Sequence, residues 1–162
     1  MAPATPPWAR RRRRPRPSLA PTPGSAARAD LVHALDSERL ADALDRRAAD
    51  AGRVLDVLVQ VNVSDEDAKH GVPPDAAHGL LRYAGDLDHL RPVGLMGMAA
   101  IARTDAERER VVRPAFARLR GLFEASPVPV SVLSMGMSGD FEIAVEEGAT
   151  LVRVGTALFG PR

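Results

Sequence analysis

The chain has 162 residues, 45% of them apolar, and a formal charge of +1, enough for one domain with a sizeable core. It contains no cysteine, which excludes disulfides, thiolate metal sites and cysteine catalysis. No stretch comes near the roughly 20 apolar residues of a membrane helix, and no apolar run follows the early arginines as a secretory signal requires.

The charge is unevenly spread. Residues 1–30 hold seven Arg and one Asp, a balance of +6, which leaves −5 for residues 31–162. A mildly acidic body offers no broad basic surface for nucleic acid. Residues 1–30 are rich in Pro, Ala and Arg, with five consecutive arginines from Arg10 to Arg14. Such a segment buries too little apolar surface to order itself and is expected to be disordered. An arginine-rich arm for nucleic acid or an acidic partner is the functional alternative. Lys69 is the only lysine.

The regular pattern begins at Leu31. The run LVHAL over 31–35 reads as a strand. Asp36 and Ser37 offer an N-cap, Leu40, Leu44 and Ala48 share one helical face, and Gly52 closes the helix. Val54–Val63 is β-branched and nearly all apolar, as a buried strand requires. A polar loop over 64–74 ends in two prolines, and Asp75 is placed to cap a helix reaching about Ala84. Val93–Met98 predicts a third strand. A long helix over 105–125 carries an apolar stripe of Val111, Ala115, Leu119 and Leu122, with a kink expected at Pro114. Val128–Ser134 predicts a fourth strand, Asp140–Glu147 a short helix ended by Gly148, and Thr150–Val154 a fifth strand.

Strands alternate with helices, which indicates a parallel sheet covered by helices. The pattern leaves a doubly wound sheet and part of a barrel both open, although five strand-helix units are too few for a closed eight-stranded barrel. In either fold, ligands sit where the strands end.

Two strand-end loops share one chemistry. In LSMGMSGD, 133–140, a strand ends in small residues and a helix starts at once. Ser138 and the amides of Gly139 and Asp140 would face an anion there. In LVRVGTALFG, 151–160, Gly155 permits close backbone approach, Thr156 offers a hydroxyl and an amide, and Arg153 adds charge. The last two strand-end loops of a barrel commonly form a phosphate site. Singly, each residue has a plainer role: Ser138 as a helix cap, Gly155 as a turn residue, Arg153 paired with Glu142 or Glu146. His33 reads as a packed core residue, and His70, His78 and His89 share no metal-ligand spacing. Asp65, Glu66 and Asp67 read as a solvated loop. Met96, Met98, Met135 and Met137 read as core or pocket wall.

The segments LVHALDSERLADALDRRA, LDVLVQVNVSDEDAKHGV, GLMGM, FARLRGLF and LSMGMSGDFEIAVEEGATLVRVGTALFG resemble the pyridoxal phosphate homeostasis protein family over about residues 30–160. The resemblance implies an alanine-racemase-like fold, here an incomplete (β/α)8 TIM-type barrel over 31–162. It implies a cytoplasmic protein that carries pyridoxal 5'-phosphate and is not an enzyme. It assigns the cofactor's phosphate to Ser138, Gly139, Gly155 and Thr156, and its ring nitrogen to Arg153. The family's covalent lysine lies on a first strand in an AVSK-like motif that has no counterpart here. Lys69 matches a different lysine, in the loop after the family's fifth strand. Three strands and their helices are therefore expected to be missing, as in a truncated or frameshifted reading frame. Cofactor binding is expected to be non-covalent at best, with self-association through exposed strand edges. The competing readings are a non-enzymatic scaffold carrying an Arg-rich arm, and a non-functional truncated product.

Overall fold

The computed structural model describes residues 29–64 and 70–160. The segment expected to be disordered lies outside the described residues except for Ala29 and Asp30, and so do Lys69 and the acidic run at 65–67.

Five strands form one sheet: β1 (Leu31–Leu35), β2 (Leu55–Val61), β3 (Leu90–Gly97), β4 (Val132–Met137) and β5 (Leu151–Arg153). Their spatial order is their chain order, and every neighbouring pair is parallel. A parallel crossover is right-handed, so crossovers that always advance by one strand put every helix on the same face. A doubly wound sheet reverses its order part-way; this one does not.

Side chains alternate across a strand. Leu55, Val57, Val59 and Val61 of β2 point to the helix side. There they join Ala41, Leu44 and Ala48 of α1 (Glu38–Asp50) and Leu80, Leu81 and Ala84 of α2 (Ala77–Gly85) in the main core. Leu58, Gln60, Met96 and Ser134 are also buried, on the opposite face. That face is concave. In a flat sheet β1 and β4 would stand three strand spacings apart, roughly 14 Å, yet His33 Nδ1 lies 3.3 Å from Ser134 Oγ. The sheet is an arc of an incomplete (β/α) barrel, with free edges on β1 and β5 among the described residues.

Local chemistry sets the element ends. Ser37 caps α1, its Oγ accepting from the Leu40 amide at 3.3 Å. Gly52, at φ +61°, ends the helix as expected, with its amide on the Ala49 carbonyl and the Arg53 amide on that of Ala48. Asp75 does not cap α2; it lies within a 3-10 turn, Pro74–Ala76, that leads into the helix. The fourth strand begins four residues later than expected, because Pro127 and Pro129 cannot donate to a ladder. The fifth is trimmed to three residues, and a short helix that the pattern did not announce, α6 (Thr156–Phe159), follows it.

The long helix is built in three parts. Thr104 and Glu107 form a reciprocal capping box at α3 (Asp105–Glu107), a π turn spans Arg108–Val112, and α4 (Arg113–Glu124) continues. Pro114 has no amide to donate backwards, and the disturbance falls on the turn before it. The wider turn rotates the buried stripe by one residue: Val112, not Val111, is buried with Ala115, Phe116 and Leu119. Arg113 then bonds Glu109 on its own helix, and Glu146 and Glu147 at the end of α5 (Phe141–Glu146), at 2.5, 2.6 and 3.1 Å. Arg120 adds Glu147 at 2.7 Å, so α4 and α5 are tied by charge as well as by packing.

The tightest approach in the sheet is between β3 and β4. Pro92 sits where β3 skips a residue against β2, with Val57 opposite Pro92 and Leu58 opposite Gly94. The bulge absorbs the proline and drives Gly94 against β4, where a Cβ would meet the Val132 carbonyl oxygen at 1.7 Å. Gly94→Ala is expected to destabilise the chain by about 3 kcal/mol or more, read as a lowered urea midpoint. Acid should act through the long helix. Backbone donation from Arg103 and Thr104 holds Glu107 below its ordinary value, and Arg113 does the same for Glu109. Carboxyls depressed by folding stabilise above the unfolded value, about 4.3, and that contribution is lost as pH falls through the folded values. The urea midpoint should therefore hold between about pH 7 and 5 and drop in more acid solution, less steeply in Glu107→Gln.

Candidate functional site

β4 and β5 end side by side, and their following loops meet. Gly136 makes the first loop possible. Its φ is +90°, and a Cβ there would lie 2.5 Å from that of Ala144 and 3.0 Å from the Phe141 Cα. The chain can thus leave β4 pressed against the start of α5. Asp140 closes the turn: its amide donates to the Met137 carbonyl at 3.0 Å, and its carboxylate accepts from the Met137 amide at 2.6 Å. The Asp140 amide is therefore committed within the turn, contrary to the expectation that it faces a ligand. Gly139 is exposed at the tip, and a Cβ on it would touch nothing within 4 Å.

Ser138 does not cap α5. Its Oγ reaches across to the other loop and accepts from the amides of Gly155 and Ala157 at 3.1 and 3.2 Å. Two backbone N–H groups from one loop thus converge on one oxygen from the other. Thr156 lies between those two amides in sequence and is exposed. Gly155 accepts at its carbonyl from Leu158 and Phe159, both at 3.0 Å, which fixes the loop from below. Ala157 carries no side-chain signal, so its amide was not legible as a site group.

Arg153 lies deeper, on the concave face. Its Nη1 donates to Ser134 Oγ at 2.7 Å and to the Ser134 carbonyl at 3.2 Å, and its Nη2 donates to the Gly97 carbonyl at 3.2 Å. The alternative pairing with Glu142 or Glu146 does not occur; Glu146 holds Arg113. Burial pulls the Arg153 pKa below the ordinary guanidinium value, partly offset by the Asp140 charge. His33 is half-buried rather than fully packed, and it bonds Ser134 across the arc. Burial, and then the Arg153 charge, lowers its pKa. Of the other histidines, His78 Nε2 lies 2.8 Å from the Leu122 carbonyl, and His89 Nδ1 lies 3.6 Å from Asp45 Oδ1. Among the described residues no group of three His, Cys, Asp or Glu side chains is placed to hold a metal. No described helix is long and apolar enough to cross a membrane. Of the four methionines near strand ends, Met96 and Met135 are buried, and Met98 and Met137 are exposed.

Two amides converge on a hydroxyl at the ends of the last two strands, beside a half-buried cation, and strand-end loops of this kind commonly hold anionic groups. The sequence of the "Alanine racemase, N-terminal domain" family matches residues 18–162. The chain belongs to this family. The match starts upstream of Leu31, within the segment expected to be disordered. A pyridoxal phosphate homeostasis protein of Aquifex aeolicus is 43% identical over 136 residues, which is 82% of this chain and 58% of that protein. PipY of Synechococcus elongatus, solved with PLP bound, superposes with a TM-score of 0.69 at 34% identity, over 86% of this chain and 66% of PipY. An alanine racemase of Clostridium difficile, at 15% identity, shares the fold, with a TM-score of 0.68 over 89% of this chain and 41% of the racemase. The chain thus spans a little over half the length of the curated relatives it matches. Within the alanine racemase N-terminal domain family, it resembles members named for homeostasis rather than for a reaction.

Ser138→Ala removes the acceptor that the Gly155 and Ala157 amides share. Hydrogen exchange at those two amides should quicken about tenfold, the equivalent of one lost hydrogen bond, while exchange in β2 stays unchanged.

Proposed function

We propose that this chain binds pyridoxal 5'-phosphate without a covalent bond and acts as a carrier of the cofactor, in the cytoplasm and without turnover. The observation that carries the reading is the convergence of the Gly155 and Ala157 amides on Ser138 Oγ. An oxygen at that point is held by two N–H groups, and a phosphate oxygen fits the same geometry with the advantage of charge. The Ser138 and Thr156 hydroxyls and the Gly139 amide complete the phosphate contacts. Arg153, a donor-only cation, lies against the ring nitrogen and keeps it without a proton. When bound, the cofactor brings an aldehyde and a ring able to accept electrons. An arginine at the nitrogen weakens that second property, which suits storage better than catalysis. PipY, a relative solved with PLP bound, supports the ligand assignment. None of the six proposed contact residues carries an amine side chain, so these contacts supply no group for a covalent link.

The same reading includes self-association. β1 and β5 each leave a row of backbone donors and acceptors unpaired among the described residues, and such edges pair with other strands. The acidic balance of residues 31–162 argues against nucleic acid as the partner. Sedimentation of the full chain should show species larger than the 17.3 kDa monomer.

Absorbance titration with pyridoxal 5'-phosphate should saturate, pyridoxal lacking the phosphate should bind far more weakly, and inorganic phosphate should compete. Arg153→Ala and Thr156→Val should each weaken binding about tenfold, the usual cost of a hydrogen bond to a charged group. After borohydride reduction the cofactor should remain removable by dialysis. Stoichiometric labelling of Lys69, abolished by Lys69→Ala, would overturn non-covalent binding.

A further inference from the structure

We propose that His33 is a positioning residue for Arg153, acting through the Ser134 hydroxyl and only as the neutral imidazole with its proton on Nε2. Its consequence for the cofactor rests on the binding reading above; the hydrogen-bond chain itself does not.

The chain has a fixed direction. A guanidinium can only donate, so at the 2.7 Å contact between Arg153 Nη1 and Ser134 Oγ the hydroxyl oxygen accepts. Ser134 is fully buried, and its single proton needs an acceptor. His33 Nδ1, at 3.3 Å, supplies one, and only an imidazole unprotonated at that nitrogen can do so. The order is therefore Arg153 to Ser134 to His33, linking β5, β4 and β1 across the concave face. The remaining Arg153 contacts are the carbonyls of Ser134 and Gly97, so all three of these partners are neutral oxygens. The hydroxyl is the one among them whose orientation a neighbour can set.

Protonating His33 reverses this. Nδ1 becomes a donor, Ser134 Oγ then faces two donors, and the hydroxyl proton loses its acceptor. A second cation also joins Arg153 in a poorly solvated place. The charged groups bearing on this site are Arg153 from β5 and, acting on Arg153, Asp140 from the turn after β4. Around the contact, the concave face of β2 presents Leu58 and Gln60 and that of β3 presents Met96, all uncharged; nearer the strand starts, Asp56 of β2 is held by Arg91 of β3 at 2.6 Å. Asp36, at the end of β1, accepts from the Ser37 hydroxyl at 3.1 Å. Burial and the Arg153 charge both disfavour the imidazolium, which agrees with a neutral role.

The test uses the full chain, wild type and three variants. Nitrogen-15 NMR of the ligand-free protein at neutral pH should show His33 with Nδ1 bare and Nε2 protonated. Ser134→Ala should shift its titration. In parallel, pyridoxal 5'-phosphate binding is followed from pH 5 to 8. Wild type should lose about fivefold or more in affinity as pH falls through the His33 value, below the ordinary 6.5. His33→Gln offers an amide oxygen in place of Nδ1 and cannot titrate. It should keep the affinity at pH 7.5 and lose the part of the acid fall-off that wild type shows in excess. His33→Leu should bind about fivefold more weakly across the range. The cofactor's own titrations are common to all variants and cancel in the comparison. Parallel pH profiles for wild type and His33→Gln, or a neutral His33 protonated on Nδ1, would overturn the proposal. If no variant binds the cofactor at any pH, the binding reading fails, and the NMR result alone decides the hydrogen-bond chain.

Discussion

Every crossover in this chain returns to the same face of the sheet, and the rest of the structure depends on that. With strands laid down in chain order and all helices on one side, the sheet's twist has, among the described residues, no helix on the other side to flatten it. The helix side carries the aliphatic core of β2 against α1 and α2. The bare side curls inward until β1 and β4 touch through His33 and Ser134. Polar groups that a flat sheet would hold apart are thereby brought within hydrogen-bond range. Burying them is tolerable because they satisfy one another.

The curl also explains why the site is shared between two loops and not built from one. Parallel strands end at the same level, so the chain leaving β4 and the chain leaving β5 emerge as neighbours. Gly136 turns the first sharply into α5, and Gly155 begins the turn into α6. Ser138 of one loop then falls opposite the amides of the other. Arg153 ends the strand that leads into the second loop but lies on the concave face, which separates the half-buried charge from the rim amides.

Much of this was legible in the sequence. The β-branched run at 54–63 and the Ser37 and Gly52 caps carry their own local instructions, and the structure follows them with small changes of boundary. Ser138, Gly155 and Arg153 stood out as candidates because small, hydroxyl and basic residues recur at two consecutive strand ends, and the structure brings Ser138 and Gly155 into contact. What was not legible depends on more than one segment. The π turn displaces the buried stripe from Val111 to Val112 because Pro114 lacks a donor, and the consequence is felt a turn earlier. The Ala157 amide has no side chain to announce it. His33 reads as a packed residue in its own strand and gains its partner only when the sheet bends. Thr104 and Glu107 differ in kind: their capping-box spacing is local and visible in the sequence itself.

The contact between Ser138 and the two amides has a thermodynamic side. The amides of Gly155 and Ala157 already hold an acceptor, so the loop is organised by folding and not by whatever later occupies it. On the proposed reading, an arriving anion would displace a hydroxyl of the protein rather than water, and the number of hydrogen bonds to the amides would stay the same. The gain lies in replacing a neutral acceptor by a charged one, and little entropy is left to lose. A site of this kind would exchange its occupant readily, because the protein keeps a substitute within reach at every departure.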